Sequence, residues 1–237
     1  MSVVLVVVAH CDDEAQGAGG AIARHVRGGD VVYGAYFTDG VGSRYESWCD
    51  EWRREKEGRR GAAKSAAAAL GFEWIAGPGD FPDNAMDRLS VLDLAQWLER
   101  DLLPELVRRE GEGVYGRVSR VYTNYLYDAN QDHRMVRKAC QPVFGRSVRG
   151  RGPVPIYEME VPRATEHALV PFHPNVYVPL TSADMDRKDA ALEAYRMELT
   201  EPPDAASMDV LLCKAIFRGS HCNAHLAEGF VCREMTL

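Results

Sequence analysis

Seven consecutive apolar residues, Val3 to Ala9, five of them valine, run straight into His10-Cys11-Asp12-Asp13-Glu14. An unbroken β-branched run with no polar alternation reads as a strand buried on both faces, the mark of a parallel sheet interior. At seven residues it falls well short of the ~20 that span a bilayer. No basic stretch precedes it, as a signal peptide would require. The reading is a soluble, cytoplasmic chain with no membrane insertion.

Ala15 to Arg27 carries small and apolar residues at helical spacing and stops at Gly28-Gly29. A second strand, Val31 to Phe37, then ends at Thr38-Asp39-Gly40. Strand, helix and strand in this order form a βαβ unit, whose crossover is right-handed. Downstream, helix is expected over Arg59–Leu70, Val91–Arg109 (kinked or broken at Pro104), from Asp132 to Cys140, and over Ala183–Leu199 and Ala205–Phe217. Strands are expected at Phe72–Ala76, Ser119–Thr123, Val154–Glu160 and Asn175–Pro179. The alternation predicts an α/β, Rossmann-like fold: a mostly parallel sheet with helices on both faces, as one domain over residues 1–237. Residues 41–58, with Trp48 and Trp52, read either as a mobile flap over a substrate or as an irregular helix start.

In open parallel sheets ligands gather at the carboxyl ends of the strands. His10 to Glu14 lie at one such end. Helix capping explains one or two of the acids. It does not explain an imidazole beside the last buried strand residue. A second strand end, Tyr122-Thr123, is followed by Asp128-Ala129-Asn130-Gln131-Asp132-His133, again acid and imidazole at a helix mouth. Together the two mouths offer His10, Asp13 and His133 to one cation. Two histidines, a carboxylate and water make a common open zinc shell, and non-haem iron uses the same triad. Gly17-Ala18-Gly19-Gly20 is no dinucleotide loop: the third glycine of the fingerprint is missing and three acids precede it. Asp132 reads as a helix cap, as an orienter of a nearby group, or as both. Asp128 reads as a turn residue or as a partner of a ligand.

The net charge is −7, from 28 basic and 35 acidic residues, which argues against a nucleic-acid polymer as partner. Six cysteines without a Cys-x-x-Cys pair read as reduced thiols. The same holds for the group Cys213, His221-Cys222-x-x-His225 and Cys232, whose spacings match no familiar zinc finger.

At these residues the chain resembles the PIG-L/LmbE superfamily of zinc-dependent N-acetylglucosaminyl deacetylases. The family signature A-H-P-D-D-E reads here Ala9-His10-Cys11-Asp12-Asp13-Glu14, followed by Gly17 to Gly20 and Thr38-Asp39-Gly40. Its second motif, [HN]-x-D-H, reads Asn130-Gln131-Asp132-His133. Arg59 before Leu70-Gly71, Pro82-Asp83-Asn84, and later segments such as Pro174-Asn175-Val176-Tyr177 and Ala227-Glu228-Gly229-Phe230 are also similar to the bacterial sugar-deacetylase branch. The resemblance implies Zn2+ (or another divalent transition metal) on His10, Asp13 and His133. It implies Asp12 as general base and Arg59 and Asp83 as substrate contacts. It implies an N-acetylated amino sugar or its conjugate as the small-molecule partner. In that setting Asn130 is the expected donor to an oxyanion and Asp132 an orienting carboxylate. Cys11 stands where the family has Pro and reads as a small packing residue. Asn130 stands where several members have His, and Ala62 where many have Glu.

Overall fold

The structure, a computed structural model, describes residues 1–45, 49–79, 81–145 and 152–233; Trp48 lies outside the described residues. Strand β1 (Val3–His10) is flanked in parallel by β2 (Val31–Thr38) and β4 (Val118–Thr123). β3 (Glu73–Ala76) extends the sheet beyond β2, and β5 (Ile156–Met159) beyond β4, both in parallel. The full order is β3-β2-β1-β4-β5-β7-β6, with β6 at Val176–Leu180 and β7 at Leu226–Cys232. β7 is antiparallel to both its neighbours. The sheet is therefore mostly parallel, as expected, with one reversed strand that the sequence pattern did not announce.

Alternation along β1 sorts its side chains into two cores. Val4, Val6 and Val8 face the helices α1 (Asp13–Arg27), α2 (Asp50–Leu70), α6 (Ser182–Ala194) and α7 (Met208–Ser220). Val3, Leu5, Val7 and Ala9 face α3 (Val91–Trp97), α4 (Leu103–Glu110) and α5 (Gln131–Phe144). Every residue of β1 is buried, which is why the run tolerates no polar residue before His10. The glycines of α1 let it lie close on its neighbours: a Cβ on Gly20 would stand 2.3 Å from Leu180 Cδ1, and one on Gly17 2.8 Å from Met159 Cγ.

The expected helix at 91–109 is real but interrupted. A wide π turn over Leu98–Leu102 precedes Pro104, giving room for a ring that would otherwise meet the preceding turn. Most of the described residues in the stretch 41–58 are helical. A short 3₁₀ turn at Gly42–Arg44 leads towards α2, which begins at Asp50, nine residues before the expected start. The expected helix 183–199 ends at Ala194, and the rest is a 3₁₀ turn, Arg196–Glu198. Strand order reverses between β1 and β4, so their carboxyl ends open a crevice at the topological switch point.

Candidate metal centre and catalytic cavity

His10 closes β1, Asp13 opens α1, and His133 sits in the first turn of α5. The crossing from β1 to β4 brings these distant segments together. His10 Nδ1 stands 3.2 Å from His133 Nε2. Asp13 Oδ1 lies 3.2 Å from His133 Nε2, and Asp13 Oδ2 lies 3.5 Å from His10 Nδ1. Ligand atoms ~2.0–2.1 Å from a tetrahedral ion are separated by ~3.3–3.4 Å, so the two imidazole nitrogens stand near one such edge length, and Asp13 meets each of them through a different oxygen.

The far side of each imidazole supports this reading. His133 Nδ1 faces Asp128 Oδ2 at 3.0 Å, and His10 Nε2 faces Asp132 Oδ2 at 3.4 Å. Both carboxylates are fully buried. Protons held on those outer nitrogens leave two lone pairs pointing at each other across 3.2 Å. A cation held by the two imidazoles would turn that repulsion into coordination, with the outer carboxylates fixing tautomer and ring orientation. Without a cation the cradle binds protons instead. Burial opposes charging of His133, but Asp13 and Asp128 outweigh it and raise the imidazole to about 9. Burial likewise pushes the Asp13 carboxyl up, and the facing imidazoles hold it well below the usual range. Asp13 Oδ2 also accepts from the His10 backbone N–H at 3.0 Å and from Asn124 Nδ2 at 2.9 Å. Asn124 Oδ1 in turn accepts the Ala9 N–H at 2.9 Å, clamping the end of β1 to the end of β4.

Beside the cradle lies a cavity of about 400 Å³. Asp12 lines it without belonging to the three-donor cluster. Its Oδ1 is 3.1 Å from Arg59 Nη2, and its Oδ2 accepts from Gln16 Nε2 at 3.1 Å. Burial raises the Asp12 carboxyl, Arg59 opposes the rise, and the charge of Asp13 adds to it. Arg59 is 2% exposed and lies between Asp12 and Glu198, the latter in close ion contact without hydrogen-bond alignment. Gly40 permits this approach: its φ is +74°, and a Cβ there would stand 3.0 Å from Arg59 Nη2 and 3.3 Å from His10 Cδ2.

The sequence description of GlcNAc-PI de-N-acetylase (PIG-L) matches residues 5–144, which hold both histidines, Asp12, Asp13 and Asn130. The chain belongs to the PIG-L family. No curated protein matches the sequence. Among solved structures, the conserved protein TT1542 from Thermus thermophilus is 23% identical, with a TM-score of 0.70 over 100% of this chain and 97% of that one. The 4-carboxy-2-hydroxymuconate hydratase GalB from Pseudomonas putida is 22% identical, with a TM-score of 0.69 over 100% and 98%. The N,N'-diacetylchitobiose deacetylase from Pyrococcus horikoshii is 20% identical, with a TM-score of 0.68 over 98% and 83%. At such identities the likeness concerns the fold.

Within this PIG-L chain all the expected site residues except Asp132 line the cavity; Asp132 lies behind it. Asn130 is the N-cap of α5: its Oδ1 accepts the Asp132 N–H at 2.8 Å, which leaves its NH₂ group to offer to the cavity. Asp132 is no cap. Its oxygens accept the Asn84 and Met86 N–H groups at 2.6 and 2.9 Å, and one faces His10. Asp83 Oδ2 accepts from Ser43 N and Oγ, and Oδ1 faces His10 Nε2 at 3.5 Å. Cys11 is fully buried, with Sγ 4.0 Å from Asp39 O and 3.9 Å from Arg59 O, and burial pushes its thiol up to about 12. It packs rather than ligates. Asn124 and Glu198 were missed. Asn124 carried one signal, its place directly after a strand end; Glu198 carried none. His167 and His173 are exposed and do not line the cavity. Among the described residues, the groups of three that could share an ion both include His10, and none draws on the C-terminal cysteines.

Proposed function

We propose that the chain is a zinc-dependent N-deacetylase that hydrolyses the acetamide of an N-acetylated amino sugar or its conjugate, releasing acetate and a free amine. One observation carries this: two imidazole nitrogens and a carboxylate gathered within reach of one ion, beside a buried carboxylate that belongs to the cavity but not to the cluster. His10, Asp13 and His133 would hold the ion, which would supply Lewis acidity, lowering the pKa of water to about 7 and polarising a carbonyl. Asp12 takes the proton of the attacking water and hands it to the departing amine; a positioned group of this kind contributes about 10²–10⁴ in rate. Arg59 fixes the Asp12 carboxylate on the cavity side. The Asn130 NH₂ donates to the tetrahedral oxyanion, a contact worth roughly 3–4 kcal/mol. Asp132 and Asp128 hold the protons of the two imidazoles away from the ion. Asp83, between His10 and Ser43, offers a carboxylate oxygen to sugar hydroxyls.

The test is acetate release by metal-replete protein across N-acetylhexosamine conjugates and non-sugar N-acetyl amines. Asp12→Asn is expected to keep one bound ion and lose at least ~100-fold in turnover. Release from non-sugar amides alone would make the chain an amidase of another class, and full activity in Asp12→Asn would remove that residue from the chemistry. Among the described residues no helix is long and apolar enough to cross a membrane.

A further inference from the structure

The cavity exceeds what an acetamide fills, and 400 Å³ lies in the ~300–1,000 Å³ range of pockets that take drug-sized ligands. Its wall indicates what occupies the remainder. Three arginines line it, and two of them each lie between two acids. Arg59 lies between Asp12 and Glu198. Arg44 pairs with Glu55 and, at 2.7 Å, with Glu198. Arg163 differs. Its Nε donates to Asp204 Oδ1 at 2.8 Å, and its two terminal nitrogens have no partner among the described residues. The side chain is half exposed, so this edge reaches solvent. A guanidinium held at Nε and open at its outer edge presents two parallel N–H groups, the fork that matches a carboxylate or phosphate.

Arg163 is also held in place from both ends. Asp204 accepts from Ala206 N and Thr200 Oγ1, each at 2.9 Å, and Ala206 is itself part of the cavity wall. The Ala164 carbonyl accepts the Ala129 N–H at 3.2 Å, tying the Arg163 loop to the segment that carries Asp128 and Asn130. Arg163 adopts φ +66°. Glycine enters that region freely and asparagine more readily than arginine, for which it is sterically costly. The other described non-glycine residues with positive φ are both asparagines, Asn84 and Asn223. Strain held by surrounding bonds at a cavity wall is where function is sought.

We infer that Arg163 is an anion-reading subsite: the amino sugar carries an oxyanion, carboxylate or phosphate, away from its acetamide, and the Arg163 fork receives it. The inference rests on the deacetylase reading and specifies its substrate class. The cavity acids do not oppose it: Asp12 and Glu198 are paired with arginines, Asp13 belongs to the cradle, and Asp83 is held by Ser43.

The experiment uses the metal-loaded chain and three N-acetylglucosamine probes: the methyl glycoside, the carboxymethyl glycoside and the 1-phosphate. KM and kcat for acetate release are measured for wild type, Arg163→Gln, Arg163→Lys and Arg163→Gly. Wild type is expected to show a KM at least about tenfold lower for one anionic probe than for the methyl glycoside, and the preferred probe identifies the oxyanion. Arg163→Gln removes that preference while kcat, and KM for the methyl glycoside, stay within about twofold; Arg163→Lys restores part of it. Arg163→Gly relieves the backbone, so it loses the preference with its thermal midpoint maintained, separating recognition from folding. Acetate released with equal KM from all three probes, or a preference that survives in Arg163→Gln, overturns the inference and leaves the deacetylase reading standing. Acetate from none of them overturns both.

Discussion

Asp128→Asn changes one oxygen for an NH₂ group at a site closed to solvent. Asp128 is fully buried, Oδ2 faces His133 Nδ1 at 3.0 Å, and Oδ1 accepts the Asn130 N–H at 3.0 Å. A carboxylate accepts at both ends, whereas an amide accepts at one. If the amide oxygen stays with His133, its NH₂ meets the Asn130 N–H, and two donors oppose each other at the lead-in to α5. If the oxygen stays with Asn130, the NH₂ meets Nδ1. The imidazole proton must then move to Nε2, the atom aimed at the cradle. Either outcome disfavours the ion. Loss of such an outer partner typically costs 10–100-fold in metal affinity, or about 1.4–2.8 kcal/mol. Competition against a chelator, read by metal analysis, measures the loss directly. The rise in thermal midpoint on adding saturating metal should shrink by the same free energy, because binding to the folded state alone stabilises by mass action. Wild-type affinity in Asp128→Asn would refute the reasoning, since His133 would then hold the ion through an atom whose tautomer Asp128 does not set.

Glu228→Gln breaks a buried pair: Lys188 Nζ lies 2.6 Å from Glu228 Oε1, and the Gly20 and Ala21 N–H groups also bind that carboxylate. Chemical denaturation is expected to show a loss of roughly 3–5 kcal/mol, and a change under 1 kcal/mol would mean that Lys188 finds another partner. Gly34→Ala would put a Cβ 2.5 Å from the Trp74 ring and 2.7 Å from that of Phe72. Overpacking of this kind costs roughly 1–3 kcal/mol, and unchanged urea unfolding would show that the two rings yield freely. Alkylation at neutral pH should modify exposed Cys213 first and spare Cys11 and Cys140, whose thiols burial raises to about 12 and about 11. Labelling of Cys11 in the folded chain, read by mass spectrometry, would place its sulfur at the cavity rather than in the core.

The elements that were legible carry their cause locally. β1 is an apolar run, α1 follows it with a small-residue face, and the cradle residues sit at the ends of those elements. β7 was not legible because Glu228 and Gly229 interrupt its pattern. The carboxylate is tolerated there only because Lys188, forty residues earlier in sequence, and two helix N–H groups meet it. The first turns of α2 read ambiguously, as flap or helix start, because residues 50–58 are polar and present little apolar stripe. Glu198 escaped for a different reason. It closes a line of alternating charge, Asp12, Arg59, Glu198, Arg44 and Glu55, drawn from separate stretches of chain. No periodicity encodes which acid a given arginine will find.

The carboxylates behind the two imidazoles show where reading from sequence proximity fails. Asp132 is next to His133 and would be assigned to it on spacing alone. Adjacent residues on an α-helix, however, diverge by ~100°, so when His133 turns to the cradle Asp132 cannot lie behind it. It is aimed instead at His10, whose Nε2 it meets at 3.4 Å, while its oxygens accept the Asn84 and Met86 N–H groups and fix the loop carrying Asp83. The partner of His133 is Asp128, placed before the N-cap where the chain has not yet become helical. The two orienting acids are thus crossed relative to naive expectation: the nearer one serves the distant strand, and the farther one serves the helix. This crossing couples the cradle to the fold. His10 is held by a residue of α5, so displacement of that helix mouth disturbs both imidazoles at once.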